Sequence, residues 1–575
     1  MGFRRVSEMA CVTRLVTQSY ATTGVQWVHS GALARLAMLG NAPSRLLIAP
    51  QDLRIADPVI AADIYAGRFL FVGQNVETHN ASPFEAPAPS EEWSKALHGF
   101  SWLRHLRAAD TAIAQKNARA LVEDWITEVS SGHHIGWSQE VIARRLLSWL
   151  SQSPMLLEDC EAEFYRRFMR SIYRQLRFLR GTLYRAPDGL PRLICAIAVV
   201  SGYACLEGQE GALARAQEQL DKELLRQILP DGGHASRHPG ALLDILLDLL
   251  PLKQTLVMRG LSASSAMMEA IDRMMPMVRF FRHGDGSFAH FNGMGSTAGD
   301  VVATVLAYDD TRGAAPKGAP YSGYQRLQAG DALVLMDCGA PPPAALSSAA
   351  HAGCLSFEMS SRRNRLIVNC GVSARQRLEW RAVARSTAAH STAGIGDSSS
   401  CHFLGPTRFE ERIGTPVLSG PKAVNVERRD DEIAERVVAS HDGYARDYHL
   451  LHERDLTLSR DGTALDGVDR FTWSGSKRGA DYYSIRFHLH PQVRCSLVQS
   501  GSAVIMQCPD GESWEFSAAG VELALEESIY LSDLFGHRRT HQIVVYGSVN
   551  EREEVSWMMR RTAMAKGRRK SSGIA

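Results

Sequence analysis

Two histidines and an asparagine flank a pair of predicted strands in the second half of the chain. Apolar and polar residues alternate over 355–360, and an apolar run at 366–368 ends at Asn369, which predicts two neighbouring strands. His351 precedes the first strand, Asn369 follows the second, and His390 lies further along the chain. In adjacent strands these side chains could converge on one metal ion or one substrate group.

A second group of polar side chains lies on a loop between two predicted helices. Its sequence, residues 229–240, is Leu-Pro-Asp-Gly-Gly-His-Ala-Ser-Arg-His-Pro-Gly. Proline, aspartate and glycine end the preceding helix, and Pro239 suits the first position of the next helix. His234, Arg237 and His238 are therefore presented on a loop, where they would suit a carboxylate or a sulfate. A solvated turn is the alternative interpretation.

A third candidate segment, residues 280–295, lies where the helical part of the sequence gives way to strands. Its glycines let the backbone turn sharply, and Arg282, His283, His290 and Asn292 supply polar groups. Ligand clefts often lie where two domains meet. We therefore predict that these four side chains face a ligand between the domains. A plain linker is the alternative interpretation, although it would be unusually rich in histidine and aromatic residues.

The periodicity of apolar residues divides the chain into a helical part and a strand-rich part. From Trp93 to about residue 282, apolar residues recur at three- and four-residue steps, which predicts helices joined by short loops. Such helices stack as hairpins in an array or a closed ring. After Gly284 the pattern predicts strands separated by Asp-Gly, Pro and Gly turns, and the run 300–306 is interpreted as one of them. Helices followed by strands indicate two separate domains.

Four segments follow from this division. Residues 1–90 have mixed character and include a Pro-rich connector, so they are interpreted as a lead-in. Residues 91–283 form the helical domain and residues 284–555 the strand-rich domain. Residues 556–575 are predicted to be a disordered basic tail, because Arg, Lys, Gly and Ser are in excess there.

Composition narrows the class of protein. The 575 residues carry a formal net charge of +2, which gives no general affinity for nucleic acid. No apolar run reaches the ~18 residues of a membrane span. The first residues lack the apolar segment of a signal peptide, which favours the cytoplasm. The ten cysteines are scattered without a CxxC pair, so most are expected to be reduced and buried.

Several of these motifs together resemble the heparinase II/III-like polysaccharide lyases. The motifs are Asp231-Gly-Gly-His234, Asp285-Gly-Ser-Phe288, His351-Ala-Gly-Cys-Leu-Ser-Phe357, Leu366-Ile-Val-Asn-Cys-Gly371 and Ser386-Thr-Ala-Ala-His-Ser-Thr392. The resemblance implies a multidomain α+β protein in which an incomplete α/α toroid precedes an antiparallel β-sandwich, with a polysaccharide cleft between them. Members cleave uronic-acid glycans by β-elimination. An acidic polysaccharide is therefore the implied substrate, and the cell envelope or periplasm the implied location.

The resemblance also implies roles for the candidate residues. Removing the proton at C5 of a uronate requires a group that neutralises the carboxylate, a base, and an acid for the leaving oxygen. The implied catalytic residues are His234, Arg237 and His290. The implied substrate-binding residues are His238, Arg282, His283 and Asn292. The implied ligands of a structural zinc ion are His351, Asn369 and His390.

Three positions depart from the family pattern. Ala349 stands where that pattern has a catalytic histidine, Gly353 where it has an aspartate, and Asn369 where it has an aspartate zinc ligand. Neutral amides are poor zinc ligands. The alternative to a lyase is therefore a catalytically degenerate glycan-binding or cell-envelope assembly protein of the same fold. A glycoside hydrolase would need two facing carboxylates, and these loops offer only Asp231 and Asp285 in turn positions.

Overall fold

The structure is a computed structural model, and it describes residues 8–17, 42–79, 81–129, 135–309, 313–373, 378–405, 413–475, 482–498, 501–533 and 536–563. One helix spans residues 8–17. The further helices are α1 (Pro58–Tyr65), α2 (Glu91–Gly99), α3 (Leu103–Ala109), α4 (Ala112–Glu128), α5 (Gln139–Ser151), α6 (Ser153–Leu157), α7 (Ala162–Thr182), α8 (Leu190–Cys205), α9 (Glu210–Gln227), α10 (Gly240–Met258), α11 (Ser265–Phe280), α12 (Gly299–Leu306), α13 (Leu378–Arg385) and α14 (Ala445–Tyr448).

The strands lie mostly after the helices. They are β1 (Arg68–Phe71), β2 (Gln74–Glu77), β3 (Gly318–Ala319), β4 (Tyr324–Ala329), β5 (Ala332–Asp337), β6 (Phe357–Ser361), β7 (Asn364–Val368), β8 (Ala393–Ile395), β9 (His402–Phe403), β10 (Val417–Ser419), β11 (Val424–Asp430), β12 (Ala434–His441), β13 (Leu450–Ser459), β14 (Ala464–Trp473), β15 (Tyr482–Leu489), β16 (Arg494–Val498), β17 (Ala503–Gln507), β18 (Ser513–Ala518), β19 (Leu523–Tyr530), β20 (Arg538–Ser548) and β21 (Glu554–Ala563). The predicted multidomain α+β class, an incomplete α/α toroid followed by an antiparallel β-sandwich, is confirmed.

The helical domain has two layers. Helices α2, α5, α8 and α10 pack in succession to form the inner layer, while α4, α7, α9 and α11 lie outside them. Lys95 of α2 pairs with Glu140 of α5 (3.0 Å), and Gly99 lies beside Arg144 four residues further along both helices. These two contacts show that α2 and α5 run parallel, as inner helices of a toroid do. The outer helices bury one apolar stripe each, which is the amphipathic pattern that the sequence predicted.

Helix α1 and the hairpin that follows it belong to the helical domain. Helix α1 packs on α3, and the β1–β2 hairpin supplies Phe69 and Phe71 to the helical core. Phe69 packs edge-on against Trp102 (ring centroids 6.1 Å apart), and Phe71 lies 5.7 Å from Trp93. Residues 1–90 were predicted to be a lead-in outside the domains. That prediction is wrong for residues 58–77, because aromatic side chains of this part complete the helical core.

The predicted strand at 300–306 is wrong, because residues 299–306 form helix α12. Val302 and Val305, three residues apart, are buried on one face against α10 and α11. Asp300 lies in the first turn, where the partial positive charge of the helix N-terminus favours it. A short valine-rich run fits either a strand or a helix, and here the burial of one helical face favours the helix. The helical domain thus extends beyond the predicted boundary at residue 283.

The second domain consists of two large antiparallel sheets packed face to face. One sheet has the strand order β11-β12-β13-β14-β21-β18-β17-β16, and the other β19-β20-β15-β7-β6-β5-β4-β3 with β8 beside β15. Trp557 of β21 stacks on Phe357 of β6, with ring centroids 5.6 Å apart, and so joins the two sheets. The two strands predicted between residues 355 and 368 are confirmed as the β6–β7 hairpin.

The predicted disordered tail at 556–575 is wrong for residues 556–563, which belong to strand β21. Strand β21 continues to Ala563 and pairs with β14 on one side and β18 on the other. Val555, Trp557 and Met559 alternate into the core, and this alternation keeps the strand ordered despite the arginines that follow. Residues 564–575 lie outside the described residues.

Candidate site at the domain junction

Asp231 fixes the loop before α10 against the sandwich. Its Oδ2 accepts hydrogen bonds from the backbone N–H groups of Tyr321 (2.8 Å) and Ser322 (2.7 Å), which lie just before β4. Gly232 has φ of 88°, and a Cβ there would lie 1.9 Å from the carbonyl oxygen of Arg273. Because only glycine fits this approach, the Asp-Gly-Gly motif positions the histidine and arginine that follow.

Arg237 joins the two domains through its whole guanidinium group. The group donates to the carbonyl oxygens of Ser322, Gly323, Gly339 and Ala340 and to the carboxylate of Asp337. Burial alone would lower the pKa of Arg237, but Asp337 outweighs burial and raises it, so the charge persists. A guanidinium has five N–H donors, and all five are used here. None is left for the substrate carboxylate that the sequence assigned to it.

His234 is held in one neutral tautomer. The backbone N–H of Ser236 donates to its Nδ1 (3.1 Å), so Nε2 carries the proton and donates to Oε1 of Gln227 (3.0 Å). The side chain is 2% exposed, and burial lowers its pKa to about 4. Both ring nitrogens are engaged within the helical domain.

His238 and Arg282 are the more open members of the predicted set. His238 is half-buried, and its Nδ1 accepts a hydrogen bond from the backbone N–H of Gly240 (3.1 Å) at the start of α10. Burial lowers the pKa of His238, so its ring is neutral at physiological pH. The Arg282 side chain is exposed. These two residues therefore retain a surface that a ligand could touch.

The carboxylate of Glu358, on β6, is surrounded by two histidine side chains and one arginine side chain. His283 Nε2 lies 3.1 Å from Glu358 Oε2, and His290 Nδ1 lies 3.7 Å from Oε1. Arg365 of β7 donates to Oε2, and the backbone N–H of Asn369 donates to Oε1 (2.8 Å). Burial alone would raise the pKa of Glu358, but Arg365 and then His290 hold it well below its usual range. The junction therefore contains a buried, fully ionised carboxylate.

The two histidines of this cluster face inward. His283 is 2% exposed and His290 is 1% exposed. His283 Nδ1 also lies 2.9 Å from Ser360 Oγ, and His290 Nε2 lies 3.3 Å from Arg365 Nη1. Burial, reinforced by the charge of Arg365, lowers the pKa of His290 to about 3. The cluster stabilises the loop at residues 282–292 against the sandwich and leaves these rings shielded from a glycan.

Asn292 ties the same loop to the ion pair of Arg237. Its Nδ2 donates to Tyr324 Oη (2.7 Å) and to Asp337 Oδ2 (3.1 Å), and its Oδ1 accepts from the backbone N–H of His351 (3.2 Å). The Tyr324 hydroxyl in turn donates to the carbonyl oxygen of Arg237 (2.6 Å). The side-chain amide of Asn292, which was predicted to bind substrate, thus makes these hydrogen bonds inside the protein.

His351 and His390 form a direct pair. His390 Nδ1 lies 2.7 Å from the carbonyl oxygen of Ser386, so it carries a proton and leaves Nε2 as an acceptor. His351 Nδ1 lies 3.0 Å from that Nε2 and donates to it. Gly353 lies so close that a Cβ there would be 2.7 Å from His390 Cδ2. An aspartate at position 353, as in the family pattern, would therefore displace His390.

This donor set does not fit zinc. Asn369, the third predicted ligand, is turned away: its Oδ1 accepts from the backbone N–H of Ser391 (2.9 Å) and its Nδ2 donates to the carbonyl oxygen of His290 (3.3 Å). Within the described ranges, no group of three or more His, Cys, Asp or Glu side chains is arranged to hold a metal ion. The hydrogen bond between His351 and His390 also occupies one nitrogen of each ring, Nδ1 of His351 and Nε2 of His390.

The sequence reasoning missed Asp337, Glu358 and Arg365, on which the junction depends. Glu358 lies between Phe357 and Met359 in a strand that is buried along its whole length. A glutamate in a buried strand followed by an arginine in the next strand is the signal that could have indicated an internal ion pair.

Comparison with known proteins agrees with this architecture. Residues 311–558 match the family described as Heparinase II/III-like, C-terminal. FtsZ-localized protein C from Caulobacter vibrioides is 31% identical over 539 residues, which cover 91% of each chain. The chain belongs to the heparinase II/III-like family.

Solved structures of lyases share the fold at low sequence identity. A crystal structure of heparinase III has a TM-score of 0.67 at 14% identity and covers 95% of this chain and 91% of that chain. For a heparan sulfate lyase from Pedobacter heparinus the TM-score is 0.60 at 13% identity, with 92% and 86% covered. At such identities the similarity establishes the fold alone. Within the described residues, no helix is both long and apolar enough to cross a lipid bilayer.

Proposed function

We propose that this protein is a catalytically inactive member of the heparinase II/III-like family that acts as a binding protein at the bacterial division site. The observation that carries the proposal is the pairing of the junction's polar groups with one another. Arg237 is bound to Asp337, and His283 and Arg365 are bound to Glu358. These contacts stabilise the assembly of the two domains, whereas an active lyase needs such groups free for its substrate.

The chemistry of β-elimination makes this argument specific. The reaction needs a neutralising group, a base and an acid that all reach one sugar. Every donor of Arg237 is occupied, both nitrogens of His234 are engaged, and His290 is 1% exposed. The family's catalytic histidine is replaced by Ala349. None of the three predicted catalytic residues can therefore reach a bound uronate in this arrangement.

The similarity to FtsZ-localized protein C supports the division-site role. The two chains match over 91% of each, so the relationship includes the helical domain and the sandwich together. A shared role would place this protein with FtsZ, where the heparinase fold would serve as a rigid two-domain scaffold.

Cosedimentation with FtsZ from the same bacterium tests this role. We expect the full chain to pellet with FtsZ polymers formed in GTP and to stay in the supernatant with FtsZ in GDP. A fluorescent fusion should form a band at midcell. Equal amounts in both pellets, together with a uniform fusion signal, would contradict the division-site proposal.

A lyase acting on an acidic polysaccharide of the cell envelope or periplasm is the second candidate. Arg104 lines a chamber in the helical domain and donates to carbonyl oxygens rather than to a carboxylate, so its charge would suit a uronic-acid or sulfated glycan. The test is release of unsaturated uronate from a panel of such glycans, with His234→Ala as the comparison. Product formed by the wild type and lost in the variant would establish the lyase, and no product from any glycan would exclude it for that panel.

A further inference from the structure

A cavity in three connected parts lies among the helices of the helical domain, and arginine side chains line each part. Its inner chamber, of about 590 Å³, is lined by the N-terminal turns of α5 and α8. Its outer chamber, of about 620 Å³, is lined by the C-terminal ends of α5 and α10. A waist of about 30 Å³ lies between them, and Arg104 lines all three parts.

The outer chamber faces away from the sandwich. Gly189, before α8, lies against Leu346 of the sandwich, and Arg237, before α10, binds Asp337. The N-termini of the inner helices therefore face the sandwich, and their C-termini, where the outer chamber lies, face the opposite side. The outer chamber is thus separate from the domain junction.

Positive charge is in excess around the waist. Asp248 is shared by Arg54 and Arg144, each at 2.7 Å, so one carboxylate serves two guanidinium groups. Arg104 donates to the carbonyl oxygens of Ile55 (2.9 Å) and Ser101 (2.6 Å) rather than to a carboxylate. Burial lowers the pKa of Arg104, and the neighbouring Arg54 and Arg144 lower it further against the opposing effect of Asp52. An anion in this cavity would relieve the repulsion between these cations.

Two buried polar atoms of the outer chamber have no hydrogen-bond partner. One is a donor, Nη2 of Arg54, and the other is an acceptor, Oε1 of Gln152. Gln152 is 1% exposed, and its Nε2 donates to Asp52 Oδ2 (3.3 Å), which fixes its orientation. Buried polar atoms are rarely left unpaired in native proteins. A ligand that offers both an anionic oxygen and a hydroxyl group would satisfy the two atoms together.

We propose that the outer chamber binds an acidic sugar, with its anionic group on Arg54 and Arg104 and a hydroxyl donating to Oε1 of Gln152. The volume of the chamber suits a small ligand. A carboxylate and a phosphate offer the same anionic oxygens, so a uronic acid and a sugar phosphate are the two sources of this chemistry. The inference concerns the helical domain alone and does not depend on FtsZ.

Isothermal titration calorimetry on the full chain tests the site with four probes: glucuronate, glucose 6-phosphate, sulfate and uncharged glucose. We expect at least one acidic sugar to bind, and glucose and sulfate to bind at least about ten-fold more weakly, because glucose lacks the charge and sulfate lacks the hydroxyl group. The comparison of glucuronate with glucose 6-phosphate shows which anionic group the site prefers.

Two variants and a matched control locate the site. Arg54→Met and Gln152→Glu should each weaken binding of the acidic sugar by about ten-fold or more, since one removes the donor and the other adds a negative charge. Arg215→Met removes the same charge from an exposed position on α9 and should bind as the wild type does. Gln152→Glu changes the shape of the side chain little. If Arg54→Met fails to fold, the affinity of Gln152→Glu for the acidic sugar tests the site by itself.

Three results would overturn the proposal. The wild type could bind neither acidic sugar, or both folded variants could bind as tightly as the wild type. Sulfate, which has no hydroxyl group at neutral pH, could also bind as tightly as the acidic sugars, and this would show that no hydroxyl contact with Gln152 contributes to binding.

Discussion

Arg237 of the helical domain and Asp337 of β5 form a buried ion pair across the domain junction. The side chains are 8% and 3% exposed, respectively. Asn292 donates to the other carboxylate oxygen of Asp337 (3.1 Å), so the connecting loop is fixed by the same acid. The pair closes the space between the domains at the position where the sequence predicted substrate contacts.

Breaking this pair should destabilise the protein strongly. Arg237→Met leaves Asp337 and four carbonyl oxygens without their partner, so we expect the free energy of unfolding to fall by about 3–5 kcal/mol. Urea denaturation followed by near-ultraviolet circular dichroism measures it. The exposed control Arg215→Met should stay within about 0.5 kcal/mol of the wild type. A loss below about 1 kcal/mol in Arg237→Met would contradict a stabilising role for the pair.

The stability contributed by His234 should depend on pH. Burial lowers its pKa from 6.5 to about 4, so the unfolded chain takes up a proton at a higher pH than the folded protein does. This contribution is fully present above pH 6.5 and is lost as the pH falls towards 4. Over that window it amounts to on the order of 3 kcal/mol.

Replacing the ring isolates this contribution from that of the other buried histidines. His234→Gln should be less stable than the wild type at pH 7.5, and the difference should shrink as the pH approaches 4. Urea denaturation at a series of pH values gives both curves. A difference that stays constant with pH would show that His234 is protonated alike in the folded and unfolded chains.

The protein should fold without zinc. Elemental analysis of protein purified without chelator should find far less than one zinc per chain, and EDTA should leave Tm unchanged. His390→Ala should cost about 1–3 kcal/mol, because His351 Nδ1 loses its acceptor. One zinc per chain that is lost in His390→Ala would overturn the conclusion that the donor set does not fit the metal.

Thiol labelling should separate the cysteines into two classes. Cys11, Cys160 and Cys495 are partly exposed, whereas the other seven are buried free thiols. Burial raises the pKa of Cys338 and Cys354 well above its usual range, which suppresses the reactive thiolate. A thiol reagent should therefore label three groups quickly in the native protein and all ten after unfolding. Rapid native labelling of Cys338 or Cys354 would contradict the packing around β5 and β6.

The architecture could be predicted from the sequence because helical and strand periodicities are local. The run 300–306 was misassigned because its valines suit both structures, and only burial against α10 and α11 selects a helix. The network at the junction could not be predicted in the same way. Glu358 meets His283, 75 residues earlier in the chain, so their contact depends on how the domains pack. Sequence spacing identified the histidines and missed the acid that pairs with them.

The position of β21 has a consequence for biosynthesis. This strand, the last among the described residues, lies inside its sheet, between β14 and β18, rather than at an edge. Until residues 554–563 leave the ribosome, β14 and β18 each expose an unpaired edge and the inward face around Trp557 is missing. Pairing over such a long separation in sequence is slow, and open edges favour aggregation. The sheet therefore stays open between β14 and β18 until residues 554–563 have been synthesised.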